Sequence, residues 1–222
     1  MTVELHPWTR VLQSRYTTKA FDPHKRLDES QVASVMALLQ WAPSSTNAQP
    51  WHFVIAGTPE GRQRVAGAMT GRYAFNQSKV LDASHVVVLA SRQHLDEGYL
   101  HCLLQNEQAA GRFATDAARQ GQHEGRGMFV DMHQKLRQDG PHWHEKQTYL
   151  ALGFLLLGTA AMGIDACPME GFDADTLNQA LGLSAQGLQA SVVVPVGFRR
   201  EDDFNARLPK SRWPAEKIFT LI

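Results

Sequence analysis

No glycine-rich nucleotide signature occurs in these 222 residues. With neither G-x-G-x-x-G nor G-x-x-x-x-G-K-[ST] present, a dinucleotide-binding βαβ unit and a P-loop are both unsupported. Cysteine is nearly absent too. Cys102 and Cys167 lie far apart with no C-x-x-C, which excludes a disulfide framework and a thiolate metal site and fits a reducing cytosol. Charge of one sign is not in excess: 22 basic side chains balance 22 acidic ones, which argues against nucleic acid or an anionic membrane as the main partner. The longest apolar region, Tyr149 to Met162, is interrupted by Gly153 and Gly158 and falls short of the roughly 20 residues that span a bilayer. The N-terminus has no basic stretch leading into an apolar core, so export is not expected. No repeat, low-complexity tract or linker divides the chain, and its length suits one domain over 1–222.

What is present alternates helical and strand patterns. His6 to Gln13 reads as a short helix. Asp28, with Gln31 three residues on, caps a helix whose apolar positions Val32, Val35, Met36 and Leu39 recur until Pro43. His52 to Ala56 is a strand, Glu60 to Met69 a helix, and His85 to Ala90 a strand apolar enough to be buried on both faces. Helical patterns follow at 95–113, 128–137 and 144–162, then a strand at 164–168, an Asp173-capped helix ending near Leu181, and a last strand at 190–196. Four or five strands among six to eight helices imply an α+β domain with helices covering a central sheet. Residues 198–222 are irregular yet end Ile218-Phe219-Thr220-Leu221-Ile222, so this terminus must dock on its own domain or on a partner subunit.

Several segments admit a ligand. Between the helix ending at Pro43 and the strand at His52, the run Ala42 to Phe53 combines two prolines with small polar residues and aromatics. Pro43 and Pro50 fix φ and remove donors, so the loop is expected to be rigid and extended; it is either a plain helix stop or a wall for a planar ligand. Arg15 with Lys19, and Lys210-Ser211-Arg212, mix cations with hydroxyls, which suits a phosphate monoester or a solvated basic face. Pro168-Met169-Glu170-Gly171-Phe172 follows a strand, and Gly171 permits close backbone approach. Asn76 and Lys79 flank a loop carrying Tyr73 and Phe75. His133, His142 and His144 lack metal-ligand spacing, and no metal is expected.

The order of these segments, Arg15 to Phe21, Pro43 to Trp51, Asn76 with Lys79, Pro168 to Gly171 and Pro209 to Arg212, resembles the FMN-dependent nitroreductase family. It is most similar to the oxygen-insensitive NAD(P)H nitroreductases also called dihydropteridine reductases, with further agreement at Leu81 to His85, Gly111 to Thr115, Asp131 to His133 and Glu201 to Pro209. The resemblance implies a three-layer α/β/α sandwich around a mixed, mainly antiparallel sheet, in an intertwined cytoplasmic homodimer whose 198–222 arm docks on the partner subunit. It implies FMN at the subunit interface. Arg15, Tyr16, Thr17 and Lys19, with Lys210 and Arg212, would hold phosphate, ribityl chain and pyrimidine edge. Asn76 and Lys79 would address the pyrimidine side, Glu170 and Gly171 would lie by N5 and O4, and Pro43, Ser44, Ser45 and Asn47 would come from the other subunit.

The chemistry implied is ping-pong: NADH or NADPH reduces the flavin at N5, then a nitroaromatic, quinone or dihydropteridine takes its place. The flavin carries the reaction, so no catalytic side chain is expected. Lys19, Thr46, Tyr73, Phe75, Lys79, Arg112 and Phe129 would contact substrates. Tyr73, Phe75 and Phe129 are the lid candidates, Arg112 would steer nucleotide phosphates, and Met128 replaces an aromatic frequent in close relatives. A flavin or enone reductase, or a non-catalytic FMN-binding redox sensor, are the alternatives.

Overall fold

The computed structural model describes residues 6–222, so the first five residues of the 1–222 domain lie outside the described residues. Four strands form one sheet in the order β1-β2-β4-β3: β1 Trp51–Ala56, β2 His85–Arg92, β3 Asp165–Ala166 and β4 Leu188–Gly197. Every named strand pair is antiparallel, from Trp51 opposite Ser91 to Asp165 opposite Gly197. The parallel component is the bridge between Thr17 and Ala166, where Thr18 N donates to Ala166 O at 3.2 Å.

The run His85 to Ala90 is apolar throughout because helices cover both faces of β2. Val86, Val88 and Ala90 point into a core with Val65, Met69, Val80, Leu177 and Leu183, carried by α3 Pro59–Ala66, α4 Gln77–Asp82 and α8 Ala174–Leu181 with the turns that follow them. Val87 and Leu89 point the other way, against Val35, Leu39, Leu152 and Leu155 of α2 Glu29–Gln40 and α7 Gly140–Ala161. Burying each such side chain contributes on the order of 2 kcal/mol. The result is the expected three-layer α/β/α arrangement. Gly158 of α7 sets the α2–α7 approach, since a Cβ there would lie 2.2 Å from Leu38 Cδ2.

Helix ends differ from the sequence pattern for local reasons. Asp28 caps α2 with the full reciprocal box, its carboxylate accepting from Gln31 N at 2.8 Å. The helix expected over 95–113 is α5 Glu97–Ala109, closed before Gly111 at φ 74°. The segment expected over 128–137 is the end of a longer helix, α6 Asp116–Asp131, capped by Thr115 and followed by a wide turn at Met132–Leu136. Gly121, Gly125 and Gly127 dilute its periodicity, and so hide its first half. The strand expected over 164–168 is only the two residues of β3, because Pro168 has no N–H; the chain rejoins β4 at Met169, opposite Val193.

Two short elements frame the outer rim: α1 Pro7–Ser14 and, in the C-terminal arm, α9 Ala215–Ile218. The arm starts firmly, with Arg200 N donating to Ala20 O at 3.0 Å. Beyond it Phe204, Leu208, Trp213, Ile218, Phe219, Leu221 and Ile222 are all exposed. Among the described residues no helix is long and apolar enough to cross a membrane.

Candidate functional site

The two basic clusters converge, although Arg15 and Lys210 are 195 residues apart in sequence. Arg15, Tyr16 and Thr17 line a cavity of ≈ 420 Å³ together with Asn205, Pro209, Lys210, Ser211 and Arg212. Lys210 Nζ donates to Leu12 O at 2.7 Å and also to the Arg15 carbonyl, which fixes the ammonium at the cavity wall. Burial lowers the Arg15 pKa and the Arg212 charge lowers it further; Lys210 is likewise lowered by burial, then by Arg15 and Arg212. Among the described residues none of these three cations is paired with a carboxylate. Three mutually repelling cations around one cavity are an arrangement that an anion stabilises.

One residue that the sequence reading did not single out holds this arrangement together. The fully buried Asp203 carboxylate accepts from Lys19 N at 2.9 Å, from the Tyr16 hydroxyl at 3.3 Å and from Ala20 N at 3.5 Å through Oδ2, and from Asn205 N at 2.9 Å through Oδ1. Asn205 Nδ2 donates in turn to Thr17 O at 2.7 Å. The C-terminal arm is thus fastened to the Arg15–Ala20 segment by a buried anion placed behind the cations. The acidic run Glu201-Asp202-Asp203, inside a tail that also carries six cations, is the signal that was available. Asp203→Ala leaves three backbone donors and a phenol without their acceptor, and we expect a loss of roughly 1–3 kcal/mol in unfolding free energy. Amide exchange at Lys19 and Ala20 should quicken in step; unchanged exchange there would remove Asp203 from this role.

A second group forms beside the first. Asn76 Nδ2 donates to Gly171 O at 2.9 Å, and Lys79 Nζ donates to Asn76 Oδ1 at 3.0 Å and to Phe75 O. A Cβ at Gly171 would stand 2.8 Å from Asn76 Nδ2 and 3.4 Å from Tyr73, so glycine is what lets this strand-to-helix turn meet the 71–79 segment. Burial lowers the Lys79 pKa, with the Lys19 charge adding to it. Lys19 therefore belongs to this group as well, close enough to act with Lys79 on the buried Cys167 thiol, whose pKa burial raises. Glu170 is exposed and accepts from the Tyr149 hydroxyl at 2.5 Å. The apolar edge is Phe75, exposed, with Lys79 5.1 Å over its ring.

The Pro43–Asn47 loop has its own set of partners, and it is not extended. Ser45–Asn47 make a single tight turn, and Thr46, Asn47 and Gln49 have φ of 52°, 55° and 45°. The Pro50 ring keeps Gln49 out of the right-handed helical region, but by way of the left-handed one. Ser44 Oγ accepts from Gln49 N at 2.9 Å and Ser45 N donates to Gln147 Oε1 at 2.8 Å. Asn47 Nδ2 donates to Glu107 Oε1 at 2.8 Å, while Arg126 Nε donates to Thr46 O at 3.0 Å. Pro43 is exposed. The loop's anchors lie on α5, α6 and α7.

Phe129 and Met128 are exposed on α6, the helix that carries Arg126. Arg112 is exposed in the loop after α5 and is not on a helix surface. His133 stacks on Trp143 at 4.4 Å and pairs with Asp139 at 2.7 Å, and the buried His144 Nδ1 meets Arg92 O at 2.8 Å.

Residues 12–198 match the model of the Nitroreductase family. The chain is 50% identical over 210 residues to an oxygen-insensitive NAD(P)H nitroreductase of Salmonella typhimurium, covering 95% of this chain and 97% of that one. It is 29% identical over 220 residues to the major NAD(P)H-flavin oxidoreductase of Aliivibrio fischeri, covering 98% and 99%. Its fold is similar to that of a protein from Exiguobacterium sibiricum solved in complex with FMN, with TM-score 0.79, 18% identity and full coverage of both chains.

Proposed function

This chain belongs to the nitroreductase family, and from that premise we propose that it is an FMN-dependent NAD(P)H oxidoreductase that reduces nitroaromatics and quinones. The observation that carries the reading is the cavity in which Arg15, Lys210 and Arg212 meet without a carboxylate, which fits the phosphate of FMN. The Asn76 amide and the Lys79 ammonium, held together beside Gly171, are the second point of fit, since they offer donors to the polar edge of a ring.

Arg15, Lys210 and Arg212 hold the phosphate, with Tyr16 and Thr17 along the ribityl chain. Lys19, Asn76 and Lys79 would take the pyrimidine edge, and the backbone of Glu170 and Gly171 would lie by N5 and O4. Pro43, Ser44, Ser45 and Asn47 are supplied by a second copy of the chain. Bound FMN supplies the chemistry, taking hydride from NAD(P)H and passing it to the acceptor. The charges of Lys19 and Lys79 favour the form of the ring that carries more negative charge and so raise its potential. Phe75, Tyr73 and Phe129, with Thr46, wall the cleft that admits NAD(P)H and acceptor in turn, and Arg112 meets the nucleotide phosphates. Dihydropteridines are a third acceptor class, since they are planar and fit the same cleft. The protein acts in the cytoplasm as a homodimer, in which the apolar arm covers the partner.

Purified protein should be yellow, release FMN on denaturation, and oxidise NADH or NADPH anaerobically with a nitrofuran, a quinone or a dihydropteridine. Double-reciprocal plots should be parallel. A colourless protein that FMN does not reconstitute overturns the reading; flavin without turnover makes it a redox sensor, and intersecting lines overturn the ping-pong order.

A further inference from the structure

The turn at Thr46 and Asn47 is strained, and what opposes its relaxation is a buried ion pair. Positive φ is uncommon outside glycine and unfavourable for a β-branched residue, yet Thr46, Asn47 and Gln49 all adopt it within four positions. Two side chains contact the first two of these. Arg126, on α6, donates from Nε to Thr46 O at 3.0 Å and from Nη2 to Glu107 Oε1 at 2.6 Å. Glu107, on α5, accepts on the same oxygen from Asn47 Nδ2 at 2.8 Å. Arg126 is 0% exposed at its side chain and Glu107 5%.

A pair buried this deeply is expensive to desolvate, and apolar residues of similar volume commonly stabilise a core as well or better. Stability alone therefore gives no reason to keep it here. Its two ends grip successive residues of the turn. The Tyr99 hydroxyl, donating to Gln49 O at 2.7 Å, and Gln147, accepting from Ser45 N, close the frame on either side. Arg126 also lies one helical turn before Phe129, so the wall loop and the exposed aromatic of α6 are fastened to one another.

We propose that Glu107 and Arg126 are positioning residues: they hold the Ser44–Gln49 turn in the strained shape with which it walls the flavin, and set its place relative to Phe129. This rests on the FMN reading given above. Neither side chain is assigned to cofactor or substrate, so its effect passes through the loop.

The test uses two variants of the full chain. Glu107→Gln/Arg126→Gln neutralises both partners at once, leaving no lone buried charge. Arg126→Lys keeps the charge but gives up the forked donor geometry. Dimer content and thermal unfolding establish that each is folded. Hydrogen exchange of the apoprotein then reads the amides of Asn47, Ala48 and Gln49, which donate to Ser44 O, Ser45 O and Ser44 Oγ. Titration of apoprotein with FMN gives Kd from fluorescence quenching, and visible circular dichroism of the saturated protein reports the flavin's surroundings. We expect faster exchange at these amides, a Kd raised about tenfold in the double variant and less in Arg126→Lys, and an altered flavin band in both. Wild-type affinity in a folded variant dimer overturns the proposal whatever the exchange shows. So does failure of both variants to fold, which would make the pair part of the fold itself. Wild-type protein that binds no FMN is a different result, and sinks the functional reading first.

Discussion

Replacing Lys210 and Arg212 together by alanine should cut FMN affinity by about a hundredfold or more while leaving the apoprotein at least as stable as before. The first half follows from two charge-assisted contacts to a phosphate, each worth roughly 1.5–3 kcal/mol before discounting for the solvent that reaches them. The second half follows from the sign of the pKa shifts. Arg15 and Lys210 are each lowered by burial and by neighbouring cations, so their charged forms cost the empty fold free energy. Taking out two of the three charges relieves that repulsion. Stability and cofactor affinity thus move in opposite directions, which a generally damaged protein would not do. Arg212→Ala alone should lose less, because Arg15 and Lys210 are then less repelled and hold their protons and the phosphate more firmly. Denaturant midpoints and FMN titration at low and high salt check both halves. Salt should narrow the gap between wild type and variant. A double variant that purifies with its full flavin would take the phosphate away from this cavity.

Much of this site was legible in the sequence because its parts are local. Pro43 and Pro50 mark a stiff loop, Gly171 marks a close approach, and Arg15 and Arg212 each sit in short cationic segments whose meaning needs only a neighbour. The buried strand at His85 to Ala90 was legible for the same reason, since a sheet covered on both faces demands an unbroken apolar run. The supports were not legible. Asp203, Glu107 and Arg126 act across 19 to 187 residues of sequence, and each reads locally as an ordinary charged residue on a tail or helix surface. Only the fold shows that all three are buried. The shape of the Ser45–Asn47 turn was missed because the prolines restrict only their own predecessors, Ala42 and Gln49, whereas Thr46 and Asn47 are held from outside the loop by Arg126 and Glu107. The early half of α6 was missed because three glycines blur a pattern that the Thr115 cap and packing by Val130 and Arg126 restore.

Deletion of residues 213–222 should convert the protein to a monomer and release its flavin. The truncated chain keeps Arg15, Lys210 and Arg212, so loss of FMN cannot be ascribed to missing phosphate contacts. The deleted arm carries Trp213, Ile218, Phe219, Leu221 and Ile222, all exposed in one chain, and α9 gives way at Phe219 to extended backbone at φ −119°, ψ 137°. Burying five such side chains is worth on the order of 10 kcal/mol, counted twice in a symmetric dimer. A receiver exists on the same fold. No strand lies beyond β1 among the described residues, and beside its open edge a groove of ≈ 360 Å³ is lined by Met36, Leu39, Trp51, Phe53 and Ile55. An extended apolar segment satisfies both the unpaired edge and the groove. By contrast β3 has its outer side taken by Thr17 and Thr18 of its own chain. Without the arm the second copy should leave, and with it the Pro43–Asn47 wall proposed to come from that copy, so flavin and dimer should be lost together. Sedimentation read at both the protein's ultraviolet and the flavin's visible absorbance follows both in one run. A truncated chain that still sediments as a yellow dimer would place the arm outside the interface, and one that is monomeric yet yellow would show that the wall loop is not lent by a partner.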